Sequence, residues 1–432
     1  MSAYSKAIER LYALQKFGIK LGLNSTQNLL ERLGNPHQGL KCVHIAGTNG
    51  KGSVGAMIEA ALLEAGIKTG FYTSPHLIHF SERFRLKGKE ISKAKVLDLI
   101  NRVWKVCDQR EPPTFFEFVT AMAFLHFAES DTEWTIMETG LGGRLDATNV
   151  CWPQATVITN IGMEHQEFLG NSLKEIAWEK AGIIKQGVPL VHGVQQPTAR
   201  NVVEERANKL NAPIIRKGRD ISFRRGRGGR FVLNGQLWSL KELETNLNGR
   251  HQPSNACLAM GALEVLAEAG AAVGSGHFRK GLGHVHWPGR LEQFSTPPGE
   301  STLWLDGAHN LPAARALVES IDIVRQDRYP LVMVAGVMAD KDIKPILEML
   351  ASAADWIVFS RPSYSRAAEP STLAKATPRG GPPFEIEPDL ELAMVKARRR
   401  AGKNGVVLVT GSLFTVGEAR AILSGDPTSD LP

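Results

Sequence analysis

A glycine-rich segment with one lysine and a terminal hydroxyl group is the part of the chain whose residue types most directly indicate chemistry. It consists of Gly47, Thr48, Asn49, Gly50, Lys51, Gly52 and Ser53. Glycines let backbone N–H groups approach an anion, a lysine adds positive charge, and a serine hydroxyl can hold Mg²⁺. The segment therefore predicts a phosphate-binding turn, although Gly52 separates the lysine from the serine, which are adjacent in the common motif.

An acid and an imidazole accompany two other apolar segments. Glu138 ends segment 134–138, and His165 comes shortly after segment 155–159. A carboxylate at the carboxyl end of a strand, beside a phosphate turn, is well placed to ligate Mg²⁺ through oxygen. The alternatives are a solvated acid at a strand end and a structural histidine. If Ser53, Glu138 and His165 lie at one sheet edge, they indicate metal and phosphate chemistry.

A lysine on an apolar helix face is the least ordinary candidate. Residues 172–175 read Ser-Leu-Lys-Glu, the pattern of a capping box, and Gly182 is a helix-ending signal. On this predicted helix Lys180 shares a face with Leu173 and Ile176. A buried amine is costly as an unpaired cation, so it is neutral, paired or modified, for example as a carbamate formed with CO₂. The alternative is an amine that reaches solvent along its own apolar stem.

Polar turns in the second half of the chain are further candidates. They are residues 251–256 at a predicted helix start, 287–290 at a turn that presents Arg290, 306–310 after a predicted strand, and 411–412 after another. An arginine is suited to bidentate contact with phosphate. Each turn is weak evidence alone, and together they predict a ligand site to which two domains contribute.

The elements that must position these residues alternate between strand-like and helix-like patterns. Strands are predicted at 70–73, 134–138, 155–159, 189–192, 302–305, 331–335, 356–360 and 406–410, and helices at 115–128 and 413–423. The alternation predicts an α/β fold whose ligands bind at the carboxyl ends of parallel strands. A linker-like segment at 295–300 divides the chain into a P-loop-type, mostly parallel sheet domain (1–294) and a smaller Rossmann-like α/β domain (295–432).

Composition narrows the class of ligand. The chain has 432 residues, 43% of them hydrophobic and 22% charged, with a net charge of +7. The positive charge favours anionic ligands such as nucleotides, acidic metabolites or nucleic acid. The most basic tracts are 224–230, at a predicted hairpin tip, and 396–400. Neither has an aromatic stacking platform, so solvated loops are favoured over a nucleic-acid surface.

The sequence gives less information about the cellular location and the oligomeric state of the protein. No apolar segment reaches the ~20 residues of a membrane helix, and the N-terminus lacks the apolar core of a secretion signal. Four dispersed cysteines without a CxxC pair indicate free thiols instead of disulfides or a zinc site. We therefore expect a cytoplasmic, monomeric protein that acts on small molecules and has no membrane or nucleic-acid partner.

Taken together, the motifs resemble those of the folylpolyglutamate synthase/dihydrofolate synthase family, within the Mur ligase superfamily. The matching segments are residues 44–54, 72–77, 82–83, 114–117, 140–149, 179–184, 287–292 and 306–310. Gly52, between the lysine and the serine, is itself part of this family's phosphate loop. The resemblance implies ATP-dependent amide ligation, in which ATP phosphorylates a carboxylate of a pterin substrate and the amine of L-glutamate then displaces phosphate.

By motif position, the resemblance also implies roles for single residues. Residues 47–53 would bind ATP together with Asn255, Arg290 and Asp306. Two Mg²⁺ sites would be formed by Ser53, Ser74, Glu138 and His165. The pterin substrate, dihydropteroate or a folate, would lie near Ser74, Pro75, His76, Arg83, Phe115, Phe116 and Glu117. L-glutamate would lie near His309 and Ser412. The catalytic groups would be Lys51, Glu138, His165 and Lys180, the last as a carbamate.

The sequence departs from the family pattern at three positions. Leu311 replaces the usual proline, Glu164 replaces an aspartate before the predicted metal histidine, and Thr139 replaces a valine. None removes a predicted ligand, and Leu311 bears on the predicted glutamate pocket.

Other functions remain open. Alternatives are a synthase with one of the two activities, a muramyl-peptide ligase, and a P-loop kinase or NTPase. Muramyl ligases carry an extra N-terminal domain, for which the about 40 residues before the turn are too few.

Overall fold

The computed structural model describes residues 2–18, 22–108, 110–297 and 299–426. Within these ranges the chain forms two compact units. The first comprises the described residues of 1–75, 81–246 and 253–285, and the second comprises those of 76–80, 247–252 and 286–426. Pro298, in the predicted linker, and residues 427–432 lie outside the described ranges.

The first unit contains the longer series of elements. Its helices are α1 (Ala3–Tyr12), α2 (Asn24–Arg32), α3 (Lys51–Glu64), α4 (Lys93–Val106), α5 (Phe115–Glu129), α6 (Gln166–Leu169), α7 (Leu173–Ala181), α8 (Pro197–Lys209), α9 (Gln252–Glu268, whose first residue belongs to the second unit) and α10 (Ser275–His284). Its strands are β1 (Cys42–Ala46), β2 (Thr69–Tyr72), β3 (Phe84–Leu86), β4 (Lys89–Glu90), β5 (Trp134–Glu138), β6 (Ala155–Ile158), β7 (Leu190–His192), β8 (Ile214–Arg216), β9 (Ser222–Arg225), β10 (Phe231–Asn234) and β11 (Ser239–Leu243). Short 3₁₀ helices occur at Ala13–Phe17, Phe80–Arg83 and Ala147–Val150.

Eight strands of the first unit form one sheet in the order β4-β3-β2-β5-β1-β6-β7-β8. The pairs from β2 to β8 are parallel, and β3 and β4 are antiparallel additions at one edge. β1, β2, β5, β6 and β7 are buried at every residue. Such continuous apolar strands are typical of a parallel sheet covered on both faces.

The central position of β1 decides where the site residues can meet. Ile45 pairs with Glu138 on β5, and Ala46 pairs with Ile158 on β6. The carboxyl ends of three adjacent strands therefore lie side by side, and the segments that follow them share one edge of the sheet.

A separate antiparallel sheet, in the order β11-β10-β9, contains the predicted basic hairpin. Its β10–β11 turn is fixed by Glu264 on α9, whose carboxylate accepts backbone N–H groups at 3.0, 3.0 and 2.7 Å. Glu264 is 1% exposed. Three hydrogen bonds offset the cost of burying this carboxylate, so the hairpin is anchored to α9.

The second unit is a smaller α/β unit. Its strands are β12 (Glu292–Phe294), β13 (Thr302–Asp306), β14 (Leu331–Ala335), β15 (Trp356–Phe359), β16 (Phe384–Ile386) and β17 (Val406–Thr410). Its helices are α11 (Leu311–Val318), α12 (Ile321–Arg325), α13 (Ile343–Ala351), α14 (Pro370–Ala376), α15 (Leu390–Ala401) and α16 (Leu413–Ser424). The sheet order is β12-β13-β17-β14-β15-β16, and only the β12–β13 pair is antiparallel among the described strands.

These observations confirm the predicted α/β class, including the large parallel sheet and the second, smaller one. Every strand predicted from apolar patterning is present to within one residue at each end. The division after residue 294 stays a prediction. The second sheet already begins at Glu292, because β12 pairs with β13.

Candidate active site

The phosphate turn predicted at 47–53 joins β1 to α3 at the centre of the large sheet. Gly47 has a φ of +152°, and Gly50, the residue before α3, has a φ of +85°. A Cβ atom at Gly47 would lie 1.9 Å from Thr159 Oγ1, and one at Gly50 would lie 2.8 Å from Asn255 Oδ1. Both positions therefore require glycine, because the backbone conformation and the lack of space each disfavour a side chain.

The segment after β6 fixes the shape of the turn. Asn160 accepts the N–H of Thr48 with its backbone oxygen at 3.0 Å and the N–H of Asn49 with its side-chain oxygen at 2.9 Å. The Thr159 hydroxyl donates to the carbonyl oxygen of Asn49 at 2.7 Å. Neither Thr159 nor Asn160 has a role predicted from the sequence, and the only signal for them is their polar character at the end of an apolar segment.

Opposite charges meet beside the turn. The Lys51 amine lies 3.2 Å from the carbonyl oxygen of Gly47 and 4.0 Å from Glu138 Oε1. Glu138, at the end of β5, is 4% exposed, and its other oxygen accepts a hydrogen bond from the hydroxyl of Thr73 after β2. Glu138 thus lies beside the phosphate turn, and Thr73, for which the sequence predicts no role, contacts its other oxygen.

Lys180 lies on the buried face of α7 and is 3% exposed. Its amine donates to the Gly47 carbonyl oxygen at 2.9 Å. Burial, and next the charge of Lys51, lower the pKa of Lys180 to about 7, and Glu164 and Asp146 act in the opposite direction. The alternative of an amine that reaches solvent is therefore wrong, and near neutral pH a large fraction of this amine is uncharged.

His165 stands at the start of the short helix α6 with a φ of +50°. Its side chain is 35% exposed, and Nε2 lies 3.6 Å from Glu164 Oε1. Glu164 also favours the charged form of Lys180. His165 is thus connected to the other charged groups through Glu164, and its exposure leaves the ring accessible to a ligand.

The predicted magnesium ligands are oxygen-rich. Ser53 is buried in the first turn of α3, and Ser74 is partly buried directly after Thr73. Within the described ranges, no group of three or more His, Cys, Asp and Glu side chains could hold a metal ion. One buried carboxylate, two hydroxyls and an imidazole fit an ion that also takes ligands from nucleotide phosphates and water, as Mg²⁺ commonly does.

Asp146 holds the glycine-rich loop that follows β5. One carboxylate oxygen accepts the N–H groups of Gly140 at 2.9 Å and Leu141 at 2.8 Å. Burial raises the pKa of Asp146, and the hydrogen bonds from Leu141 and Thr148 oppose that rise. A Cβ atom on Gly143 would lie 2.9 Å from the Lys180 carbonyl oxygen, so the loop packs directly on α7. Asp146 lies inside segment 140–149, and the sequence predicts no role for it.

Three of the residues predicted near the pterin, Phe115, Phe116 and Glu117, lie at the start of α5, and Arg83 lies close to them. The Arg83 guanidinium lies 5.3 Å from the centre of the Phe115 ring, and both aromatic residues Phe115 and Phe116 are partly buried. Glu117 forms a capping box with Thr114 at the start of α5. Glu117 is 4% exposed, so its carboxylate stabilises the helix start, a role that its position three residues after a threonine could have predicted. Pro75 is exposed.

Asp306 has the central position among the predicted residues of the second unit. It is 8% exposed and accepts the N–H groups of Leu291 at 2.9 Å and Ala308 at 3.0 Å. Burial raises the pKa of Asp306, and the charge of Arg290 opposes this rise. The carboxylate thereby ties the turn that carries Arg290 to the end of β13.

Three other predicted residues of this unit also have local structural contacts. Ser412 caps α16 and accepts the N–H of Thr415 at 3.0 Å. His309 Nδ1 lies 2.8 Å from a carbonyl oxygen two residues earlier. His76 is 3% exposed, and its ring centre lies 6.0 Å from that of Phe80.

With this geometry established, comparison with known proteins identifies the family. The model of the Mur ligase middle domain matches residues 45–263, and that of the Mur ligase glutamate ligase domain matches residues 289–413. The chain belongs to the Mur ligase family. The dihydrofolate synthase/folylpolyglutamate synthase of Bacillus subtilis is 37% identical to it over 434 residues, covering 97% of this chain and 99% of the relative. The predicted family and the predicted enzyme class, an ATP-dependent ligase, are confirmed.

Solved structures give the same result. Escherichia coli FolC in complex with DHPP and ADP has a TM-score of 0.88 at 28% identity, covering 97% of this chain and 98% of that one. A bifunctional folylpolyglutamate synthase/dihydrofolate synthase with Mn, AMPPNP and L-glutamate bound has a TM-score of 0.84 at 31% identity, covering 96% and 97%. In the part of this ligase that the structure describes, no helix is long and apolar enough to cross a membrane.

Proposed function

We propose that this ligase joins L-glutamate to dihydropteroate and to the γ-carboxylate of tetrahydrofolates, at the expense of ATP and through an acyl phosphate. The observation that carries the proposal is the convergence of Lys51, Glu138 and Lys180 on the phosphate turn of the first unit. The bound DHPP, nucleotides and L-glutamate in related structures support the choice of substrates. A synthase with only one of the two activities is the alternative.

The nucleotide is assigned to the phosphate turn. Residues 47–53 would contact its phosphates, because the start of α3 presents N–H groups without intrahelical partners and Lys51 adds charge. Asn255, which lies against Gly50, would contact the nucleotide in the first unit. Arg290 and Asp306 are the corresponding assignments in the second unit.

Mg²⁺ would be held at two positions by Ser53, Ser74, Glu138 and His165. When bound, it would neutralise charge on the phosphates and polarise the transferring group. The Lys51 amine lies 4.0 Å from Glu138 Oε1. This short separation supports the assignment, because the carboxylate can bind a cation while the neighbouring lysine binds a phosphate.

The organic substrates are assigned to residues by the positions of these residues in the family motifs. The pterin part is assigned to Ser74, Pro75, His76, Arg83, Phe115, Phe116 and Glu117. The partly buried rings of α5 can stack on a planar heterocycle, and Arg83 can pair with an anionic group. L-glutamate is assigned to His309 and Ser412 of the second unit.

The proposed reaction has two bond exchanges. A carboxylate oxygen of the pterin substrate attacks the γ-phosphorus, and the bond from that phosphorus to the bridging oxygen breaks, which releases ADP. The α-amine of glutamate then attacks the acyl carbon and loses a proton, and the tetrahedral intermediate expels phosphate. The amine of Lys51 stabilises the charge that develops on the transferring phosphoryl group.

Lys180 is proposed to act as a carbamate. Its neutral amine would add to the carbon of CO₂ and release one proton, which converts a cation-forming group into a carboxylate. The buried position and the pKa near 7 support this, because only the neutral amine reacts. ¹³C NMR of enzyme equilibrated with ¹³C-bicarbonate should show one carbamate signal that is absent from Lys180→Ala, whose activity short carboxylates should partly restore. Full activity with an unmodified lysine would contradict the carbamate.

The function is tested by ADP release. Dihydropteroate, tetrahydrofolate or neither is supplied, each with and without L-glutamate. Turnover should require a pterin substrate and glutamate together, and the glutamylated product should be detected by mass spectrometry. ADP release that depends on neither would instead support a P-loop kinase or NTPase.

A matched pair of variants checks that the turnover comes from this site. Lys51→Met should abolish ADP release, whereas Lys89→Met, which removes an exposed lysine on the edge strand β4, should leave it unchanged. We further propose a monomer without a nucleic-acid partner, which light scattering and salt-dependent binding to RNA would check.

A further inference from the structure

A groove lies between α6, α7 and α8 on the first unit. It has a volume of about 510 Å³, within the range of ordinary small-molecule sites. Its apolar lining comes from Phe168, Leu169, Trp178 and Val202. No role in the ligation above is assigned to any of these residues.

Two large aromatic side chains in this groove are open to solvent. Phe168 is 40% exposed and Trp178 is 49% exposed. The Arg206 guanidinium lies 5.9 Å from the centre of the Trp178 ring. Exposed aromatic rings that share a concave surface with a cation are typical of a site for a planar ligand.

The charged side chains around the groove differ in whether they already have partners within the protein. Glu175 accepts the N–H of Asn171 at 2.9 Å, and Glu179 pairs with Arg144 at 2.8 Å. The third acid of the groove is Glu205. Arg144 offsets the charge of Glu179, whereas the backbone N–H that Glu175 accepts leaves the charge of Glu175 in place.

The cations of the groove have no such partners. Among the described residues, no ion pair involves the three basic side chains of the lining, which are Lys174, Arg206 and Lys209. In the described part of the chain, the groove thus has three cations without an ion-pair partner and two carboxylates, Glu175 and Glu205, that no cation offsets. The excess of one positive charge beside two open rings favours an anionic ligand.

The groove is on the opposite side of α7 from the catalytic candidate. Trp178 and Lys180 are two residues apart, which separates their directions by about 200° on a helix. Accordingly Trp178 is exposed and Lys180 is buried. A ligand in the groove would thus contact α7 without occupying the site at the phosphate turn.

Helix α6, which lines the groove, also contacts the glycine-rich loop that follows β5. Leu169 is buried at the end of α6, and a Cβ atom on Gly142 would lie 2.8 Å from its side chain. His165 stands at the other end of this four-residue helix. The groove is therefore a distinct site that shares its supporting helices with the site of ligation.

We propose that this groove binds a small planar aromatic anion, with Trp178 and Phe168 contacting the ring and Arg206 and Lys209 contacting the negative group. The occupant is a small molecule because the volume lies in the range of small-molecule sites. It is an anion because the three cations outnumber the two carboxylates that no cation offsets.

The test is calorimetric titration of the full-length protein with 2-naphthoate and with the neutral analogue 2-naphthylmethanol. Both titrations are made with AMPPNP present so that the nucleotide site is filled. Naphthoate should bind at least fivefold more tightly than the alcohol. The double variant Arg206→Gln/Lys209→Gln should remove this preference and leave the affinity for the alcohol unchanged. Trp178→Ala should weaken both ligands tenfold or more.

Two controls keep the outcome interpretable. Arg224→Gln/Arg227→Gln removes two exposed cations from the basic hairpin of the same unit and should not change either affinity. Phe115→Ala tests for binding at the predicted pterin site and should also have no effect. Equal affinity for the two ligands, loss of binding in Phe115→Ala, or dimerisation through the groove without naphthoate binding would each overturn the proposal.

Discussion

The two units of this ligase use polar residues at the carboxyl ends of their parallel strands in different ways. In the first unit, Lys51, Glu138 and Lys180 bring three ionisable side chains to the single glycine turn at Gly47. In the second unit, Asp306 and Ser412 occupy corresponding strand ends but accept backbone N–H groups. The first edge concentrates charge for chemistry, whereas the second uses its polar side chains to fix turns and a helix start.

A polar residue at a strand end is therefore ambiguous until its hydrogen bonds are known. A carboxylate such as Asp306, held by two N–H groups, is a positioning group. Glu138 instead faces a lysine and a hydroxyl, both of which can exchange for a ligand. Variants at the two edges should therefore differ in whether they change activity or stability.

The largest effect is expected for Glu138→Gln. The amide keeps an acceptor for the Thr73 hydroxyl but removes the charge beside Lys51. We expect kcat to fall by roughly 100-fold or more, with little change in thermal stability. The control is Glu133→Gln, an exposed residue just before the same strand, whose side chain accepts the Lys68 N–H at 2.9 Å. A comparable loss of kcat in Glu133→Gln would show that the effect is not specific to the strand end.

A second large effect is expected for Gly47→Ala. The added Cβ would lie 1.9 Å from Thr159 Oγ1 at a φ of +152°. We expect ATP turnover to be lost and the free energy of unfolding to fall by about 2 kcal/mol or more, measured in urea.

Gly66→Ala is the matched control for that substitution. Gly66 also has a positive φ, of +75°, but nothing lies within 4 Å of an added Cβ. It should cost only about 1 kcal/mol and leave activity unchanged. An equally mild effect at Gly47 would mean that close packing does not define the turn.

The third prediction concerns pH and Lys180. Burial lowers its pKa to about 7 in the folded chain, from an ordinary value of 10.5. Between these pH values the unfolded chain binds a proton that the folded chain does not, so stability should rise with pH by up to about 1.4 kcal/mol per unit.

Urea unfolding of the wild type and of Lys180→Met at pH 7, 8 and 9, in CO₂-free buffer, isolates this contribution. The difference in stability, wild type minus variant, should increase with pH, because methionine does not titrate. A difference that stays constant across the series would show that the amine keeps its ordinary pKa.

The smallest effect is expected at the edge of the second unit. Ser412→Ala removes the side-chain cap of α16 and should lower the free energy of unfolding by about 1 kcal/mol. Ser412→Asn retains a capping side chain and should restore most of that stability. An unchanged stability with a raised KM for L-glutamate would reverse the comparison, since Ser412 would then act on substrate and not on the helix.

Much of the fold follows from local patterns. Apolar segments predict the strands to within one residue, because a strand buried on both faces is apolar throughout. Helical spacing also predicts the burial of Lys180, since neighbours three and four positions away set the face of a helix. The phosphate turn is predicted because glycines at that spacing, beside a lysine and a serine, are typical of a loop that binds phosphate.

The supporting contacts could not be predicted in the same way. Thr73 meets Glu138 across 65 positions of sequence, and Asn49 meets Asn160 across 111. Asp146 looks like any acid in a loop until its two N–H donors are seen. These residues have common types and no periodicity, so only the order of the strands reveals their role.

The elements, the α/β class, the family and the chemical types gathered in this ligase follow from local sequence, because glycine, lysine and apolar spacing act over a few residues. Which strand ends are neighbours, and therefore which charges meet, depends on the tertiary structure. β1 lies between β5 and β6 although those strands come much later in the chain. That order joins Gly47, Glu138 and Lys180, and burial of α7 against the turn then lowers the pKa of the lysine.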